Sequence, residues 1–392
     1  MKKKGRIFIF ILAALALAGG LLYATGAFKS LGIGPGSTLE DIRSRDPDPK
    51  VEALLQSMTL EEKAGQLFMG CFYNGTPTPE TVEKYHLGSV LLFGASFKDT
   101  EKGTLIRQLK ALTADCALPP LIAVDEEGGT VSRVGTSPAF RQSPFQSPRD
   151  LFAAGGMEAV IADAHEKNAL LTELGIHLNL APVCDISQDP ADFMYARSLG
   201  QDAKTTAKYA KAMVAACRED NVGCALKHFP GYGNSADTHK GLAVDRRPME
   251  QLTESDLVPF AAGIEAGAPA VLVSHNIVTA MDEERPASLS PAVHRVLRYD
   301  LGFDGVIITD DLSMGAIDGY FPDQDSAVMA IMAGNDLLCT GDVEVQYRAV
   351  LQAVKDGLIS EARIDRSAER ILKWKIALGL LDPADWQEEE KQ

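Results

Sequence analysis

The apolar positions of this chain come in two lengths. After MKKKGR there is one unbroken uncharged run, Ile7 to Phe28, and from Val51 onward short apolar runs alternate with longer amphipathic stretches. Eight short runs stand out: Gly65–Cys71, Leu87–Phe93, Leu121–Val124, His177–Val183, Gly223–Lys227, Ala270–Ser274, Gly305–Thr309 and Asp336–Cys339. Their length and bounding Gly, Pro and Asp residues predict buried strands. The segments between them read as helices. Glu101–Ala114 and Gly156–Leu174 carry apolar residues at helical spacing, and Asp202–Asn221 has an Ala-rich stripe opposite a charged face. Strands alternating with helices predict a parallel sheet, and eight such units predict a closed α/β barrel of the (β/α)8 TIM type. An open doubly wound sheet is the alternative, but the GxGxxG fingerprint expected after its first strand is missing.

The long run changes the picture at the N-terminus. Its 22 residues, at about 1.5 Å each, match a hydrocarbon core of about 30 Å. Two readings of residues 1–28 stand: a retained membrane anchor, or a cleavable signal with Ala16-Leu17-Ala18 before Gly19. Both direct the body across the membrane, because the positive charges before the run stay inside. Residues 29–49 are rich in Gly, Pro, Ser and charge and read as a linker. The barrel domain is expected over 50–382, with an acidic tail over 383–392.

Charge narrows the partners. There are 38 Lys and Arg against 54 Asp and Glu, a net −16; four of the positive charges lie in the first six residues, so the rest carries −20. Such a body repels phosphate backbones, and nucleic acid is not a candidate partner. The six cysteines (Cys71, Cys116, Cys184, Cys217, Cys224, Cys339) show no CxxC or zinc-finger spacing, so no metal centre or cofactor is expected, and the sequence alone pairs none of them.

Ionisable residues collect where the predicted strands end, which is where a barrel places its chemistry. Strand three ends in Asp125-Glu126-Glu127-Gly128-Gly129, strand four in Asp185, strand five in Lys227-His228, strand six in His275 and strand seven in Asp310-Asp311, with Arg197 in the loop after strand four. Burying such groups unpaired costs several kcal/mol, so packing alone does not account for them. Beyond Lys227-His228, Pro230, Gly231 and Gly233 break the chain into a loop holding Asp237 and His239. In an extended segment residues i and i+2 share a face, so this carboxylate can orient that imidazole for proton transfer. By the same alternation, only one of Asp310 and Asp311 should face the barrel mouth squarely. Glu126 and Glu127 read as partners of a following helix dipole, and Asp185 and His275 as supporting residues.

These motifs resemble glycoside hydrolase family 3, in its β-N-acetylhexosaminidase branch: KHFPGxG with DTH downstream, DEEGG with Arg133 shortly after, ARSLG, TDDLSM and the terminal RIDRSAERILKWKIALGLL. The resemblance covers roughly residues 50–380. It implies a retaining β-N-acetylglucosaminidase acting on β-GlcNAc-containing saccharides or muropeptides. It further implies Asp310 as nucleophile, Asp237 and His239 as the acid/base pair, and Asp125, Arg133, Arg197, Lys227 and His228 as sugar-binding residues. Thr130 and Tyr232 stand where the family often has Arg and His. The alternatives are a phosphorylase using the same residues and, from another class, a metal-dependent barrel hydrolase, whose usual HxH after strand one is replaced by Gly70-Cys71-Phe72.

Overall fold

The computed structural model describes residues 48–382, apart from 115, 234–240, 242 and 319–324. Eight parallel strands form a barrel: β1 Phe68–Phe72, β2 Ser89–Leu92, β3 Leu121–Val124, β4 Leu178–Asn179, β5 Gly223–Phe229, β6 Ala270–Val273, β7 Val306–Thr309 and β8 Leu338–Thr340. Neighbours in sequence are neighbours in the sheet, and β8 returns to pair with β1, Met69 opposite Cys339. The seam between β7 and β8 closes through the Ile308–Leu337 bridge. A two-stranded parallel ribbon, Val244–Asp245 with Ile277–Val278, lies beside the barrel.

The helices start where capping chemistry allows. In α1 (Pro49–Ser57) Asp48 caps the Lys50 N–H ahead of a Pro suited to the first turn. Thr59 and Glu62 form a reciprocal capping box at α2 (Leu60–Gln66). The long α3 (Lys102–Ala114) and α4 (Pro148–Leu174) cover β2 to β4, and α4 bends at Gly155 and Gly156, whose φ/ψ are not helical. Asp202 caps α5 (Ala203–Glu219), which packs on α6 (Leu257–Glu265). The ring closes with α7 (Ser326–Ala333), α8 (Val343–Lys355) and α9 (Glu361–Ala377). The terminal helix α9 packs across α1 and α2, burying Ile364, Ala368, Ile371 and Leu372.

The largest departures from the expected strands are at β1 and β4. The first strand starts at Phe68, not Gly65, because the Thr59 capping box commits the preceding residues to a helix that runs to Gln66. The fourth is only Leu178–Asn179: Pro182 has no N–H to donate, and pairing with β5 reappears as a single bridge from Val183 to Lys227.

At the seam, the buried carboxylate of Asp336, just before β8, takes hydrogen bonds from Arg298, Arg370 and Ser367 and from the Ile307 N–H of β7. Arg363 lies 3.9 Å away. Burial would raise the Asp336 pKa, but these guanidinium groups hold it down at about 2. The RIDRSAER motif thus locks α9 to the last strand.

Candidate active site

Six of the eight residues singled out from the sequence, Asp125, Arg133, Arg197, Lys227, His228 and Asp310, line one cleft of about 950 Å³ at the C-terminal ends of the strands. Asp237 and His239 lie outside the described residues.

The loop after β3 is shaped by Gly128 and Gly129, with φ of +93° and +62°, a region that favours glycine. A Cβ at Gly128 would also meet the Gln146 carbonyl at 2.2 Å. The tight turn directs the three preceding acids to separate tasks. Asp125 accepts from Lys227 Nζ at 2.6 Å. Glu126 collects the N–H groups of Arg133, Val134 and Gly135 and the Ser132 hydroxyl, and so fixes the strand of loop that carries Arg133. Glu127 takes a fork from Arg197, Nη2 to Oε1 at 2.6 Å and Nε to Oε2 at 2.9 Å, and pairs with the Lys227 ammonium at 2.6 Å. Neither Glu serves a helix dipole.

Burial by itself would raise the Glu127 pKa; Arg197 and Lys227 override it and hold the carboxyl far below its ordinary range. The converse holds for Lys227, which burial would discharge but Asp125 and Glu127 keep protonated. The Arg197 loop is held by Arg149 at the start of α4, which donates to the carbonyls of Tyr195 and Ser187 and to Ser198 Oγ. Gly200, with φ +75°, leaves room for that guanidinium, since a Cβ there would lie 2.3 Å from it.

His228 is a fixed group. Its Nδ1 donates to Asp185 at 2.8 Å and its Nε2 faces Arg197 Nη2 at 3.1 Å, an arrangement that suits the neutral ring with the proton on Nδ1. Asp185 also accepts the backbone N–H groups of His228 and Tyr232 and so sets the start of the loop after β5. Tyr232 packs its ring edge-on against His228, centroids 5.2 Å apart. His275 lies beneath, with Nδ1 on Ser288 and Nε2 on the Asp311 carbonyl.

Asp310 follows β7, its N–H held by the Val273 carbonyl of β6. Asp310 and Asp311 both line the cleft, contrary to the alternation argument, because β7 ends at Thr309 and the chain there is no longer extended. Asp311 accepts from Ser313 N–H at 2.9 Å and from the Tyr73 hydroxyl, and burial raises its pKa. The cleft floor includes Cys339, whose Sγ is 3.1 Å from that of Cys71. Among the described residues all cysteines are free thiols, and no group of three or more His, Cys, Asp or Glu is placed to hold a metal ion.

A family model described as Glycosyl hydrolase family 3 N terminal domain matches residues 59–374. The chain belongs to this family. Beta-hexosaminidase LpqI of Mycobacterium tuberculosis is 31% identical over 390 residues, covering 93% of this chain and 96% of that protein. The solved glycoside hydrolase family 3 β-N-acetylglucosaminidase of a Paenibacillus species superposes with a TM-score of 0.77 at 33% identity. That match covers 83% of this chain but only 63% of the longer Paenibacillus protein. The β-N-acetylhexosaminidase of Beutenbergia cavernae gives 0.72 at 31% identity, over 81% of this chain and 99% of its own.

Within this family frame, Asp185 has the supporting role expected of it, holding His228 and the Tyr232 N–H. Two contributors were not legible as such: Glu127, read as a helix-dipole partner, is the carboxylate shared by Arg197 and Lys227, and Tyr73 sits after β1, where the sequence shows no charged group.

Proposed function

We propose that this family 3 member is a retaining β-N-acetylglucosaminidase that releases terminal β-linked GlcNAc, with peptidoglycan fragments as its natural substrate. The observation that carries the reading is the cleft itself. Asp310 at the end of β7 faces the same space as a buried, charge-balanced set of hydrogen-bonding groups from the ends of β3 and β5 and the loop after β4. That division of labour fits a sugar hydrolase: one carboxylate for the anomeric carbon, and ion-paired donors and acceptors for ring hydroxyls. The relatives named as β-hexosaminidases and β-N-acetylglucosaminidases support the choice of sugar.

In the proposed reaction the Asp310 carboxylate attacks the anomeric carbon while the glycosidic C–O bond breaks, and His239, oriented by Asp237, gives its proton to the leaving oxygen. The same His then takes a proton from water, whose oxygen displaces Asp310 and releases the sugar with its configuration retained. Lys227, Arg197 and His228 are immobilised by their partners, so they orient hydroxyls rather than carry protons. The body is proposed to work on the outer side of the cytoplasmic membrane, held there by residues 1–28 or released from them.

The test is a panel of chromogenic β-GlcNAc and β-glucoside substrates, each with and without inorganic phosphate. The GlcNAc glycoside should be hydrolysed preferentially to free sugar, and Asp310→Asn should lose at least about a thousandfold in kcat while still binding GlcNAc. Preference for the glucoside, or sugar phosphate as product, refutes the reading.

A further inference from the structure

Tyr73 is out of place as a structural residue. It follows β1, 43% of its surface is exposed, and it belongs to no core cluster, yet its ring is held from three directions. The hydroxyl donates to the Asp311 carboxylate. One side leans on Phe93 after β2, with centroids 4.6 Å apart and planes at 49°. The edge lies over Gly341 at the end of β8, where a Cβ would stand 2.9 Å from the ring. The amide of Gly341 is itself fixed by Ser313 Oγ, so the loops after β7 and β8 are tied together beneath the ring. An exposed aromatic side chain immobilised at the mouth of a polar cleft is preorganised for a ligand, because the entropy of ordering it is already lost in the free protein.

The order of the strands indicates which part of the ligand it meets. Asp125, Lys227 and Arg197 come from the arc β3 to β5, whereas Asp310 stands at β7 and Tyr73 at β1, with β8 between them. In a pyranose the anomeric carbon lies across the ring from the 3- and 4-hydroxyls. A sugar whose hydroxyls are held by the β3–β5 arc and whose anomeric carbon is at Asp310 therefore directs its leaving oxygen away from that arc, toward β7, β8 and β1. Among the described residues, Tyr73 is the exposed aromatic side chain there.

From this geometry we infer that Tyr73, oriented by Asp311 and backed by Phe93, is a specificity-determining residue that stacks against the C–H face of the leaving sugar. The enzyme thereby selects β-GlcNAc joined to a second pyranose over β-GlcNAc joined to a small alcohol. This rests on the proposed glycosidase reading and adds the leaving group's chemical class to it.

Two substrates with alkyl leaving oxygens separate the inference from that reading: N,N′-diacetylchitobiose, which offers a second sugar, and methyl β-N-acetylglucosaminide, which does not. The wild-type protein should favour the disaccharide in kcat/KM. Tyr73→Ala should reduce that preference about tenfold, chiefly through KM for the disaccharide, the size expected for loss of an aromatic contact. Tyr73→Phe, which keeps the ring but not its tie to Asp311, should reduce it by less. An equal loss on both substrates would mean that Tyr73 acts on the GlcNAc ring or on Asp310, and an unchanged preference would mean that it touches neither sugar; both overturn the inference. Release of GlcNAc from neither substrate by the wild type refutes instead the glycosidase reading, and the stacking role with it.

Discussion

At the scale of single residues, Glu127 is the charge on which the cleft's ionic set depends. Its side chain is 1% exposed and faces two cations, Arg197 and Lys227, that are almost as deeply covered. Glu127→Gln would keep the shape but take from those cations the carboxylate they share, a loss worth about 3–5 kcal/mol in comparable buried pairs. The melting temperature and sugar affinity should fall together. The acid limb should change too. A carboxyl held below its ordinary value of 4.5 adds stability that is complete above that value and disappears as pH falls toward the folded-state pKa. Urea midpoints measured downward from neutral pH should therefore fall less steeply below about 4.5 in the Gln variant than in the wild type. The sequence pointed to this loop but not to this residue. Consecutive acids in Asp125-Glu126-Glu127 cannot be told apart until the positive φ angles of Gly128 and Gly129 decide where each side chain goes. Arg197 and His228 were legible because a specific motif carried them; Tyr73 was not, since its exposure and its bond to Asp311 join residues 238 positions apart.

Among the elements, the terminal helix α9 shows what periodicity can and cannot convey. Its apolar residues Ile364, Ala368, Ile371 and Leu372 are buried, but Lys375 is fully buried as well, its Nζ donating to Gln66 Oε1 of α2 at 2.6 Å. Without a carboxylate partner among the described residues, burial pushes the Lys375 pKa down to about 7. His177, pressed by its own burial and by Lys375, is pushed down to about 4 and stays neutral. Between about 7 and the ordinary lysine value of 10.5 the unfolded chain holds a proton that the folded chain does not, so stability should rise with pH across that window. Changing Lys375→Met together with Gln66→Leu removes the buried amine without orphaning the amide. It should stabilise the fold at neutral pH by on the order of a few kcal/mol and flatten the rise above pH 7. Denaturant midpoints from neutral to alkaline pH provide the check; a double variant that is less stable at neutral pH would mean that the Lys375–Gln66 contact outweighs the desolvation. The strand boundaries failed for a related reason. Gly65 and Gln66 look apolar-run by composition, yet the capping box at Thr59 and the buried contact to Lys375 make them helix.

For the whole molecule, the alternation of eight apolar runs with amphipathic segments was sufficient to specify a closed barrel, because each strand must be covered by the helix that follows it and neighbours in sequence become neighbours in the sheet. The first 47 residues take no part in that argument, and their role rests on charge and hydropathy alone. Lys2, Lys3, Lys4 and Arg6 precede the uncharged run Ile7–Phe28, and everything after it carries a net −20. The basic cluster is attracted to the anionic cytoplasmic leaflet, with each cation near the surface worth about 1 kcal/mol, whereas the acidic body is repelled from it. Both tendencies favour the topology with residues 2–6 inside and the catalytic body outside. Protease added to cells with opened walls but intact membranes should therefore degrade the body, while a cytoplasmic control protein survives. Mass spectrometry of the membrane and soluble fractions then separates the two fates of the run: a membrane-bound chain beginning at its own N-terminal lysines is anchored, and a soluble one beginning after Ala18 is released. Survival of the body until the membrane is lysed would refute export and, with it, a periplasmic or wall-facing substrate.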